Sequence, residues 1–156
     1  MKMKIIKLIF WVALCQLAGL TGSNAVMENM DWYNQLLAPP LTPPDGIFGI
    51  VWAVLYVLIG VAAFLALKNF PKENTKTAAC LFLLQLGMNA CWTPVFFGER
   101  NLLAAFILVL AMAAEGIWLV KSFYKQSRWA GNLMIPYMIW IVFATYLTGA
   151  FWLLNR

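Results

Sequence analysis

The chain has 156 residues, of which 63% are apolar and 11% charged, with a formal net charge of +5. Water-soluble domains are roughly half apolar and about a quarter charged, and a domain of this length must cover much of its surface with polar groups. The composition therefore excludes an ordinary soluble fold and points to a chain embedded in lipid.

The apolar residues fall into five blocks, 5–26, 47–67, 78–97, 102–120 and 133–154. Each is near the ~20 residues that a helix needs to cross a ~30 Å hydrocarbon core. The expectation is an all-α, single-domain bundle of five transmembrane helices spanning residues 1–156, with short connections and no extramembrane domain.

Span one carries Gln16, Gly19 and Gly22, and Ala18 with Gly22 forms a small-xxx-small pair that suits close helix packing in lipid. Gln16 is expected to face protein, because an unpaired amide in hydrocarbon is costly. The basic start, apolar centre and small residues of stretch 1–23 also resemble a cleavable leader. The length of its apolar run favours a retained helix.

The connection 23–41 reads as a loop. Trp32 and Tyr33 suit the headgroup belt. Pro39, Pro40, Pro43 and Pro44 stiffen the approach to span two. Thr42 is placed to cap that helix, with Pro43 first and Asp45 third in it. A loop fixed this way either forms a lid or only sets the helix start.

Span two places Trp52 and Tyr56 four residues apart on one face, with Gly49, Gly60, Ala62 and Ala63 as close-packing positions. In span three, Gln85, Asn89, Trp92 and Phe96 recur at offsets 0, 4, 7 and 11, which is one helical face. Two amides continuing into two aromatics fit either a cavity wall or interhelical hydrogen bonding. Pro94 frees the Ala90 carbonyl and is expected to kink this span. Span four holds Glu115, the one carboxylate well inside a block. It could snorkel, be protonated or pair with a loop lysine, and it has no second intramembrane acid for a proton relay. Span five begins near Pro136. Trp140, Ala144 and Phe151 share a face there, with Tyr137 close to the preceding turn. Cys15, Cys80 and Cys91 lie within spans and have no metal-ligand spacing, so they read as small buried hydrophobes.

Nine of the eleven basic residues fall on one side of the bundle: Lys2, Lys4 and Lys7, then Lys68, Lys72 and Lys76, then Lys121, Lys125 and Arg128. The other side receives Arg100 and Arg156. The positive-inside rule puts the N-terminus inside and the C-terminus outside. Topology accounts for these charges without a nucleic-acid partner. With no histidine, no nucleophile–base arrangement and no glycine-rich phosphate loop, no catalytic residue, metal ligand or cofactor is assigned. What remains is a compact bundle with an aromatic interior, suited to a flat hydrophobic ligand.

Trp32 and Tyr33, stretch 39–60 (PPLTPPDGIFGIVWAVLYVLIG), stretch 85–98 (QLGMNACWTPVFFG) and stretch 136–147 (PYMIWIVFATYL) carry a resemblance over nearly the whole chain. They resemble the tryptophan-rich sensory protein family, also called translocator protein or peripheral-type benzodiazepine receptor. The resemblance implies five membrane helices, a homodimer, and a pocket open toward the outer side beneath the first loop. It implies binding of porphyrins or related tetrapyrroles, with cholesterol and synthetic ligands in eukaryotic members. The pocket maps to Trp32, Trp52, Asn89, Trp92, Trp140 and Ala144, with Tyr56, Phe96 and Tyr137 as additions.

Three positions depart from the family pattern. Leu41 stands where tryptophan is frequent, and Thr148 where asparagine is frequent. Tyr146 is too far from Arg156 for the cholesterol-associated pattern, while a formal match at 120–128 is of a weak kind. The implied function is a membrane sensor, regulator or carrier for porphyrins. Light-dependent porphyrin breakdown and a scaffold without small-molecule turnover remain as alternatives. The implied location is a bacterial inner membrane.

Overall fold

The computed structural model describes residues 2–156, the side chain of Asn74 excepted. It is all-helical: α1 (Lys2–Leu20), α2 (Ser23–Tyr33), α3 (Asp45–Ala66), α4 (Glu73–Thr93), a π-helical turn (Pro94–Gly98), α5 (Leu102–Gln126), α6 (Arg128–Leu133) and α7 (Ile135–Leu154). Among the described residues, five helical stretches are long and apolar enough to cross a bilayer: Lys2–Tyr33, Asp45–Ala66, Thr75–Gly98, Leu102–Gln126 and Arg128–Leu154. The five-span expectation holds. Ile50, Val54, Ile107, Ile139 and Val142 stand exposed on the outside of the bundle, a pattern that fits lipid and not water.

Packing follows the small residues. α1 lies along α3, and α5 lies between α4 and α7. A Cβ on Gly60 would stand 2.6 Å from the Val12 Cα, so glycine at this position is what lets α1 and α3 touch backbone to backbone. Cys15 is fully buried in that contact, whereas Cys80 and Cys91, against expectation, are exposed. The first helix is thus an integral wall of the bundle. Phe82, Phe123, Met112, Leu119, Met134 and Ile141 fill the centre, each almost without exposure.

Three local expectations are corrected. Most of stretch 23–41 is not a loop, since Ser23–Tyr33 is helical. The chain breaks at Thr21 and Gly22, then turns over toward α4, where a Cβ on Gly22 would run into the Thr93 side chain. Asn29 supports this helix by donating to the Ala25 carbonyl at 2.9 Å. Its aromatic end packs on the π-helical turn, with Tyr33 and Phe97 centroids 5.4 Å apart.

The start of α3 also differs. Pro44, extended at ψ 142°, is the residue before the helix, and Asp45 opens it. Thr42 turns its hydroxyl back onto the Pro39 carbonyl at 2.7 Å. An acid in the first turn still complements the helix dipole. Pro94, the third case, does not simply kink α4. It opens a π-helical turn. The Ala90 carbonyl that proline leaves without its helical donor accepts instead from the Thr21 hydroxyl at 3.2 Å. One break in the chain thereby satisfies another.

Candidate functional site

The helices enclose one large cavity of about 480 Å³ toward the end of the bundle where α2 sits. α3 contributes Phe48, Gly49, Trp52 and Tyr56 to its wall, and α7 contributes Trp140, Ile141, Ala144 and Phe151. α4 and the π-helical turn supply Asn89, Trp92, Phe96 and Phe97. Gln16 and Gly19 of α1, with Val109 and Met112 of α5, close the remaining sides. Met27, Met30 and Tyr33 of α2 also border it. Helix α2 covers this cavity, and the proline stretch does not. That stretch is tied to the end of α7 instead. Asn155 accepts from the Leu37 N–H at 2.8 Å and donates to the Leu37 carbonyl at 3.1 Å. The Tyr146 hydroxyl donates to the Pro40 carbonyl at 3.0 Å. Leu41 takes a left-handed φ of 68° to make the bend.

Of the nine candidate residues, seven line the cavity together: Trp52, Tyr56, Asn89, Trp92, Phe96, Trp140 and Ala144. Trp32 and Tyr137 stand off its wall. Trp32 lies edge-on to Phe96 at 6.0 Å, with the Arg100 guanidinium 5.7 Å from its ring centre. Arg100, at φ 51°, also donates to Asn29 at 2.9 Å. Trp32 thus belongs to the fastening that holds α2 down. Tyr137 is fully buried behind the cavity.

The polar groups divide into partnered and unpartnered sets. The Tyr137 hydroxyl accepts from the Gln85 amide and, at 2.8 Å, from the Asn89 amide. Gln85 also donates to the Met112 carbonyl at 3.2 Å, and Asn89 to the Gln85 carbonyl at 2.8 Å. Both readings of the amide stripe are therefore realised: Gln85 joins helices, and Asn89 does so while facing the cavity. Among the described residues, Gln85 Oε1, Asn89 Oδ1 and the indole nitrogens of Trp92 and Trp140 are buried without a hydrogen-bond partner. Buried polar atoms are nearly always paired, and Asn89, Trp92 and Trp140, which carry three of these exceptions, belong to the otherwise apolar, aromatic wall of the cavity.

Trp92 stacks on Phe96 with centroids 5.0 Å apart and planes 24° apart. Trp52 meets Tyr56 at 5.4 Å, and Trp140 meets Phe48 edge-on at 5.9 Å. The rings hold one another in stacked, tilted and edge-on pairs along the wall.

Sequence reasoning passed over Gly19, Met27, Met30, Phe48, Val109 and Met112 as wall residues. They carry no chemical signal beyond being apolar or small, and the composition of α2 favours a loop. Glu115 is not on the cavity wall. Both of its oxygens are buried without a hydrogen-bond partner among the described residues, and the one ion pair there joins Lys76 to Glu73. It does not pair with a loop lysine. Among the described residues no group of histidine, cysteine or acidic side chains has the arrangement to hold a metal ion.

The chain matches the TspO/MBR family over residues 11–153. It is 34% identical to "Tryptophan-rich protein TspO" of Archaeoglobus fulgidus, over 98% of this chain and 99% of that protein. It is 33% identical to "Tryptophan-rich sensory protein" of Cereibacter sphaeroides, over 86% of this chain and 82% of that protein. It is 32% identical to "Translocator protein" of Homo sapiens, over 80% of this chain and 75% of that protein. With the five long apolar helices and the tryptophan-lined cavity, these matches make the chain an integral membrane protein that belongs to the TspO/MBR family.

Proposed function

We propose that the protein binds a porphyrin or related tetrapyrrole in the cavity between α2, α3, α4 and α7, and that it acts as a membrane sensor, regulator or carrier for that ligand. The carrying observation is the trio of unpartnered polar atoms, Asn89 Oδ1, Trp92 Nε1 and Trp140 Nε1, on a wall of stacked aromatic rings. A tetrapyrrole offers broad π faces to the rings, carboxylate or carbonyl oxygens to the indole donors, and N–H groups to the amide oxygen. The volume, about 480 Å³, falls within the usual range for small-molecule sites. The names of two relatives, a sensory protein and a translocator protein, fit both halves of this reading. Titration with protoporphyrin in darkness, followed by indole fluorescence, tests it. No saturable quenching beyond that of free indole would remove it.

A photochemical role is the second reading. Trp52, in contact with Tyr56, and Trp140 both border the cavity. Tryptophan next to a photoexcited porphyrin can exchange electrons or react with oxygen without an acid–base group. Illumination of the complex should then yield new products that the same porphyrin in empty detergent does not. Dark binding with no such products leaves the sensing role alone.

The basic ends of the helices further support an orientation with the N-terminus inside, the cavity open toward the outer side, and residence in a bacterial inner membrane. In a background lacking the three native cysteines, single cysteines at Asn34 and Lys125 should label from opposite faces, Asn34 from outside intact cells. Labelling of both from one face would sink this topology. The family resemblance supports a homodimer as the working unit. Its mass in nanodiscs should be twice that of one chain.

A further inference from the structure

We propose that the corner between α5 and α6 is a binding site for the headgroup of an anionic glycerophospholipid. The site lies at the end of the bundle remote from the cavity, and it does not depend on what the cavity binds.

Helix α5 presents an exposed apolar stripe through Leu103, Ile107 and Leu110. Trp118 continues it at 64% exposure, and Lys121 and Lys125 follow at helical spacing on the same face. The Lys121 ammonium sits 5.3 Å from the centre of the Trp118 ring. Arg128 then opens α6, and Trp129 beside it is 73% exposed. Two indoles thus flank three cations at one corner. That is the level at which tryptophan meets a headgroup region and at which long basic side chains lift their charges out of hydrocarbon.

Among the described residues no acid neutralises the corner. Residues 116–156 contain no Asp or Glu, and among the described residues none of Lys121, Lys125 and Arg128 is in an ion pair. At the opposite corner of the same end Lys76 is paired with Glu73 at 2.6 Å, while Lys68 and Lys72 are in no ion pair among the described residues. The α5–α6 corner is also fixed in shape, since the Tyr124 hydroxyl donates to the Asn132 amide oxygen across it. A phosphate set among these cations, with its acyl chains along the α5 stripe, satisfies both the unpaired charge and the exposed apolar face. A zwitterionic headgroup supplies no net charge to match three cations.

The test uses the full chain in phosphatidylcholine vesicles containing a minor fraction of brominated phosphatidylglycerol, or the same fraction of brominated phosphatidylcholine. Bromine quenches a nearby indole, and the Trp118 share is the difference between the natural chain and Trp118→Phe. The anionic probe should quench that share about fivefold more effectively for each basic side chain engaged, and less so as salt is raised. Replacing Lys121, Lys125 and Arg128 together by glutamine should erase the preference. Lys121→Gln alone, an exposed change that leaves the helix intact, should reduce it. Replacing Lys68, Lys72 and Lys76 by glutamine should leave it in place. Equal quenching by the two lipids would overturn the proposal. So would equal loss in the two triple variants, because diffuse surface charge and not this corner would then attract the lipid.

Discussion

Trp140→Ala or Trp92→Ala should weaken protoporphyrin binding at least tenfold, about 1.4 kcal/mol. Each change removes a stacking face and a buried indole donor that has no partner within the chain. Aromatic anchors in desolvated pockets commonly carry this much or more, while rim contacts carry far less. Two controls separate a site effect from a general one. Trp118→Ala, at the remote end and 64% exposed, should leave affinity unchanged. Glu115→Gln keeps shape and removes ionisation at a side chain off the cavity wall, so affinity should move by less than about fivefold. Indole-fluorescence titration in darkness across the four variants reads the result. Equal affinities in all of them would remove the cavity as the binding site and leave a scaffold role. Repeating the titration under light, with porphyrin in empty detergent as reference, asks the second question. Products lost in the Trp140 and Trp92 variants and kept in the Trp118 variant would assign photochemistry to the cavity.

The cavity was half legible in the sequence, and the legible half has a physical reason. Aromatic and amide side chains at offsets of three, four and seven share a helix face, so Trp52 with Tyr56, Asn89 with Trp92 and Phe96, and Trp140 with Ala144 could be paired before any fold was known. All of them line the same space. Tyr137 shows the limit of that rule. It stands three residues from Trp140, as Asn89 does from Trp92, yet its ring is buried in the contact with α4 and not on the cavity wall. Met27, Met30, Val109 and Met112 could not be picked out, because an apolar residue on an apolar helix reads the same whether it meets ligand, protein or lipid.

Helix α2 was missed for a different reason. SNAVMENMDWY is rich in Asn, Ser and Asp, which compete with helical hydrogen bonds and favour loops. Contacts distant in sequence decide its state. Tyr33 rests on Phe97, and Arg100 ties down Asn29 and Trp32. The prolines were read correctly as stiffening the chain, yet their fastening depends on Asn155 and Tyr146, over a hundred residues away.

The largest loss of stability should come from Tyr137→Ala. The side chain has no exposure, and its removal leaves a cavity of ring size among α3, α4 and α7. In a soluble protein, truncating a buried aromatic costs ~3–5 kcal/mol. Part of that is transfer from water, which lipid does not reward, so the packing and cavity part is what remains here, on the order of 2–3 kcal/mol. Tyr137→Phe separates the ring from the hydroxyl. The Gln85 and Asn89 amides each keep a second acceptor, Met112 O and Gln85 O, so the loss of one shared oxygen should cost only ~1 kcal/mol. Thermal unfolding in detergent, followed by helix content, should therefore rank the natural chain first, phenylalanine next and alanine well below. An alanine variant as stable as the natural chain would mean that the ring is not packed as described. A phenylalanine variant as unstable as alanine would move the weight from packing to the amide–hydroxyl network. Ligand affinity gives an independent reading of the same pair of variants. The phenylalanine ring keeps the wall behind Asn89 in place but no longer holds its amide. If Tyr137 works by orienting Asn89 Oδ1 toward the cavity, Tyr137→Phe should weaken protoporphyrin binding as much as Asn89→Ala does, and combining the two changes should add nothing.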